Sequence, residues 1–83
     1  MERSRHFHNM LKERHIAEDW VNRCEQSPDK TEEHNDGTLH FIKLIPEFGN
    51  RWLRGIVNTE VSPHKEVTAF FDRRLRKEHE NQS

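Results

Sequence analysis

The sequence predicts an α+β domain: two N-terminal helices packed on a three- to four-stranded antiparallel sheet, closed by a short basic helix or tail. Three observations carry this. Apolar residues recur at helical spacing only before Pro28. After it come β-prone runs separated by turn residues, namely Asp36-Gly37, Pro46 to Asn50 and Ser62-Pro63-His64. Finally, 83 residues with 30% hydrophobic and 35% charged side chains suffice for one thin core and one domain, 1–83.

Each element follows from its residues. The first helix runs from 4 to about 14, because Phe7, Met10 and Leu11 fall at i, i+3 and i+4, with Ser4 as its cap. The second runs from about Ala17 to Gln26. Its stripe is Ile16, Trp20, Val21 and Cys24, and Glu18 and Asp19 suit the positive end of the helix dipole. Pro28 ends it, since the residue before a proline avoids helical geometry. Lys30 to Asn35 is polar and reads as a weak edge strand. Asp36-Gly37 reads as a type I′ hairpin turn. Strands then cover Thr38 to Ile45, Arg51 to Thr59 and Glu66 to Asp72. In the middle one, Trp52, Arg54 and Ile56 share one face, and Leu53, Gly55 and Val57 the other. The tail opens at Arg73 and is wholly polar from about 78.

Charge is uneven. Residues 17–36 carry seven acids against Arg23 and Lys30, a balance of −5, so the remainder holds +4 of the net −1. An acidic zone thus opposes a basic remainder that suits a polyanion, although both read equally well as solvated surface. Cys24 is alone, which excludes an internal disulfide and fits a cytoplasmic location. The polar N-terminus does not read as a signal peptide, and no stretch is apolar enough for a membrane span.

Seven histidines raise the question of a metal. His6 and His8 point to different sides of a helix, and His34 and His40 flank the hairpin and meet across it at best as two ligands, too few for zinc. The reading is therefore of no metal and no cofactor. Nor is there a glycine-rich phosphate loop, a nucleophile elbow or a carboxylate pair.

Several segments taken together resemble a known family. They are Arg5-His6, Lys12-Glu13-Arg14, Ile16, the Trp20-Val21 helix closing at Ser27-Pro28-Asp29, Asp36-Gly37-Thr38, Ile45-Pro46-Glu47, Arg51-Trp52-Leu53-Arg54 and Val67 to Arg74. Their order is similar to that of the small bacterial proteins of domain-of-unknown-function family 4258, which is grouped near the RelE/ParE and BrnT toxins. The resemblance implies a RelE-like fold, metal-independent cleavage of RNA by attack of the ribose 2′-hydroxyl on the adjacent phosphate, and neutralisation by a cognate antitoxin.

For that chemistry histidine moves protons near neutrality and arginine holds phosphate in a fork. The catalytic candidates are His6, Arg14 and Arg54; the RNA-binding candidates are Arg51, Trp52, Arg73, Arg74, Arg76 and Lys77. His6 and Arg14, eight residues apart, project about 80° from one another and flank a groove without touching. The chain departs from the family pattern in four ways. It has no tyrosine. His15 stands where glycine is usual, which loses a helix stop; Ala17 stands where a hydroxyl cap is common, which weakens the start of the second helix; and Gly55 stands where a β-branched residue is usual, which weakens the central strand. The expectation is a toxin-like endoribonuclease or RNA-binding protein; the alternative is a non-catalytic module of the same fold that docks on a partner protein.

Overall fold

The structure, a computed structural model, describes residues 2–75. It contains α1 (Arg5–Glu13), α2 (Glu18–Gln26), β1 (Lys30–Glu33), β2 (Thr38–Ile45), a 3-10 turn at Pro46–Phe48, β3 (Arg51–Asn58) and β4 (Lys65–Phe71), and a short helix opens at 73–75. The strands form one antiparallel sheet in the order β1-β2-β3-β4. The α+β architecture read from the sequence is the one observed, with four strands. The polar segment from 78 lies outside the described residues. Among the described residues, no helix is long and apolar enough to cross a membrane.

The first helix begins where Ser4 Oγ accepts the Phe7 N–H at 3.1 Å, and it buries Phe7, Met10 and Leu11. Its C-terminus corrects the sequence reading. Loss of glycine at His15 does not cost the helix its stop, because His15 itself adopts φ 57. The Ile16 N–H then reaches Leu11 O at 2.9 Å and the His15 N–H reaches Lys12 O at 3.2 Å, the paired closure that usually takes glycine. Helix α2 starts at Ala17 with no side-chain cap and inserts Val21 and Cys24 into the core.

The Asp36-Gly37 turn is also different from the expected one. Residues 34–37 make a four-residue loop closed by Gly37 N–H to His34 O (3.3 Å), and Gly37 alone in it has positive φ, at 82°. A type I′ turn needs two such residues. Strand β1 consequently ends at Glu33, two residues earlier than expected. The Asp36 carboxylate binds the Thr38 N–H and hydroxyl, which fixes the start of β2.

Both helices cover one face of the sheet. Their buried residues meet Ile45, Leu53 and Ala69, and Trp20, Phe48 and Phe71 pack ring against ring at its edge. Each large side chain removed from water here contributes about 1.5–3 kcal/mol. Alternation along β3 is as read: Leu53, Gly55 and Val57 face the helices, and Trp52, Arg54 and Ile56 face away. Gly55 leaves space that a side chain could fill, since a Cβ added there would meet nothing within 4 Å, in keeping with a weakened central strand. The other face, helix-free in that α1 and α2 do not cover it, is bounded at one end by the helix that opens at 73 and is not bare. Ile42, His40, Arg54, Asp72 and Leu75 are all buried on that side or at its end.

Candidate functional site

Arg54 organises the helix-free face. The ladder sets Ile42 of β2 on one side of it and Phe70 of β4 on the other. Its guanidinium, 8% exposed, is held at both ends. Nε donates to Asp72 Oδ2 at 2.9 Å, and Nη1 donates to Glu32 Oε1 and to His40 Nδ1, each at 2.8 Å. Asp72 follows the last residue of β4, where its N–H bonds Trp52 O. It also accepts from the backbone and side chain of Arg74. Glu32 lies directly across from His40 in the β1–β2 ladder.

Hydrogen-bonding logic fixes the His40 tautomer. Arg54 can only donate, so His40 Nδ1 carries a lone pair and its proton sits on Nε2. That proton faces Thr38 Oγ1 at 3.2 Å, and the Thr38 hydroxyl donates to Asp36 Oδ1 at 2.5 Å. His34 stacks on His40 with centroids 3.7 Å apart and planes 15° apart, and its Nε2 lies 3.2 Å from Glu32 Oε1.

The charge states follow from these contacts. The Arg54 hydrogen bond, with smaller contributions from His34 and Lys30, holds the Glu32 carboxyl down at about 2. Burial pushes the Asp72 carboxyl up, but hydrogen bonds from Arg74 and Arg54 outweigh it and keep it below the usual carboxylate range. Burial, then the neighbouring His34 and Arg54, lower His40, so its ring is neutral at pH 7. These groups line a shallow depression of ≈ 530 Å³, with Lys30, Ile56, Phe70, Arg74 and Leu75 completing its wall. Its five charged groups are Lys30, Arg54 and Arg74 against Glu32 and Asp72, a balance of +1.

The three catalytic candidates do not meet in one groove. His6 is exposed on α1, which packs on the opposite side of the sheet from Arg54. Arg14 closes α1 and donates to Thr68 Oγ1 (3.1 Å) and Ala69 O (2.8 Å), so it ties the helix to the β4 edge. Arg54 is enclosed by two carboxylates. The RNA-binding candidates divide as well. Arg51 points to the helix side, its guanidinium 5.1 Å from the centre of the Phe48 ring. Trp52 is half-buried on the helix-free face opposite Leu44. Arg73 and Arg74 are exposed beyond β4, Arg74 on the wall of the depression. Arg76 and Lys77 lie outside the described residues.

Sequence reasoning missed Glu32, His34, His40 and Asp72 as a group. The available signal was the i, i+2 spacing of Glu32 and His34 together with a hairpin that brings His40 back across from them. A second charge cluster sits behind the sheet. Arg3 reaches Glu66 (2.6 Å), Glu25 (3.2 Å) and Glu18 (3.1 Å), and Glu66 is almost wholly enclosed. Cys24, also enclosed, donates to Phe41 O, and burial pushes its thiol up to about 12, which makes it a packing residue and not a nucleophile. Compared with known protein families, with curated proteins and with solved structures, the chain matches none.

Proposed function

We propose that this chain binds single-stranded RNA on the helix-free face of its sheet, as a binding module of the bacterial toxin–antitoxin type and not as a nuclease. The observation that carries the reading is the cationic wall of the depression beside the Arg54 cluster. Lys30 on β1 and Arg74 beyond β4 stand at opposite rims of that depression with side chains 59% and 80% exposed, and Phe70 of β4 shares its lining. Their present partners are Glu32 and Asp72. The Lys30 pair is largely exposed and worth little, so a phosphate can take over that cation at small cost; the Arg74 pair ends on the buried Asp72 carboxylate, and a phosphate there shares the exposed guanidinium with Asp72. A base laid on Phe70 gains stacking that tolerates any sequence. The resemblance to toxin families makes RNA the polyanion. The separation of His6 and Arg14 from Arg54 supports binding over cleavage, because proton transfer needs acid and base within reach of one phosphate.

The test is fluorescence anisotropy of a labelled single-stranded RNA across a salt series. Two phosphate contacts predict a slope of roughly −1.4 in log K against log salt, and Lys30→Ala or Arg74→Ala should each reduce its size by about 0.7. Salt-indifferent binding, or variants that bind like the parent, would sink the reading. The same samples run on a gel with chelator decide the chemistry. Intact RNA supports a binding module. Cleavage lost in His6→Ala and Arg14→Ala would restore the nuclease.

A further inference from the structure

We propose that Glu32, His34 and His40 form a binding site for a divalent transition-metal ion, with Zn²⁺ the best match to the donors. One ligand atom of each residue lies within 4.8 Å of those of the other two. Two imidazoles and one carboxylate are a donor set that zinc takes in open sites, leaving a fourth position for water or a further ligand.

The hairpin supplies the preorganisation. Glu32 and His40 are direct cross-strand partners, and the His34 N–H to Thr38 O bond fixes the third residue at the mouth of the loop. The His40 ring is set as a ligand must be. Its inner nitrogen presents a lone pair, while its outer N–H is oriented by Thr38 and, behind it, Asp36. An acceptor behind the distal N–H of a histidine ligand fixes ring orientation and raises basicity.

A cationic group already rests between two of these donors. Arg54 Nη1 lies 2.8 Å from both Glu32 Oε1 and His40 Nδ1. A metal ion entering there exchanges one positive partner for another. Arg54 surrenders Nη1 and keeps Asp72 through Nε at 2.9 Å. His34, 40% exposed, stacks parallel to His40 and must turn its ring for both lone pairs to converge. Removing the Arg54 contact and turning this ring both weaken the site, so the affinity falls below that of a closed structural zinc centre. The site is independent of RNA binding and stands if that reading fails.

The experiment titrates the full chain with Zn²⁺ by calorimetry and with Cu²⁺ by electron paramagnetic resonance. The expected result is one saturable Zn²⁺ per chain and a Cu²⁺ spectrum with two imidazole nitrogens. Both His34→Ala, at an exposed position, and Glu32→Gln, which keeps an acceptor for Arg54, should weaken Zn²⁺ by about tenfold or more. His34→Ala should also leave one nitrogen in the spectrum, and His64→Ala, at an exposed position beyond the cluster, should change neither readout. Absence of saturable binding overturns the proposal. So does binding that His34→Ala and Glu32→Gln leave intact, since the ion would then sit on other histidines.

Discussion

Replacing Glu66 by glutamine tests the charge cluster behind the sheet. Glu66 lies on β4, opposite Val57 and facing the helices, its side chain 2% exposed, with Arg3 on one side and Glu25 nearby. Burial, reinforced by Glu25, raises its carboxyl to about 8, against the opposing pull of Arg3. Between pH 4.5, the ordinary value, and about 8, the folded chain therefore holds a proton that the unfolded chain has released. The stabilisation is complete below the ordinary value and is lost as pH rises through the folded one. At about 1.4 kcal/mol per pH unit the window caps the effect at about 5 kcal/mol, and a fraction of that is readily measured. Glutamine mimics the protonated acid and cannot lose the proton. Urea unfolding should thus find parent and Glu66→Gln nearly equal at about pH 5, and the variant more stable by at least ~1 kcal/mol at about pH 8. Titrating groups other than the neighbouring Glu25 and Arg3 are common to both chains and cancel in the difference. A variant destabilised by the same amount at both pH values would refute the argument. Glu66 would then be ionised throughout, its charge held by Arg3 2.6 Å away.

Two further outcomes are expected. His15→Gly should raise stability by about 0.5–1 kcal/mol in urea unfolding, because His15 sits at φ 57 in a helix stop that glycine enters without strain. Arg54→Met should cost about 2–4 kcal/mol by the same measurement, since it leaves Asp72 buried with Arg74 as its one remaining cation among the described residues; adding Asp72→Leu should recover more than half of the loss.

Local rules made much of the fold legible. The i, i+3, i+4 spacing of Phe7, Met10 and Leu11 gave α1, Ser4 gave its cap, and alternation gave both faces of β3. What stayed hidden depends on long-range pairing. Arg54 reads as a substrate-facing cation until Glu32, 22 residues before it, and Asp72, 18 after it, arrive through the ladder. Neither partner is close enough in sequence to be weighed against it. The turn at 34–37 was misread for a different reason: Asp36-Gly37 satisfies two hairpin geometries, and the choice between them depends on Asp36 bonding to Thr38. His34 and His40 were seen as two ligands because the third comes from the register of β1, a strand whose own sequence barely specifies it.

That register has a physical determinant in Arg54. A four-residue strand of Lys30, Thr31, Glu32 and Glu33 offers no apolar stripe to choose its pairing. Glu32 supplies the choice through its bond to a guanidinium buried at the sheet centre, since sliding β1 by one residue turns this carboxylate to the other face. The same logic protects β3. A one-residue slip there would pull Arg54 away from Glu32 and Asp72 into the helix-side core and would expose Leu53. An unpaired buried charge costs several kcal/mol, a large part of what a domain of this size holds in total. The desolvation of Arg54 therefore adds little net stability, yet it penalises the misaligned sheets that a thin hydrophobic core would otherwise tolerate.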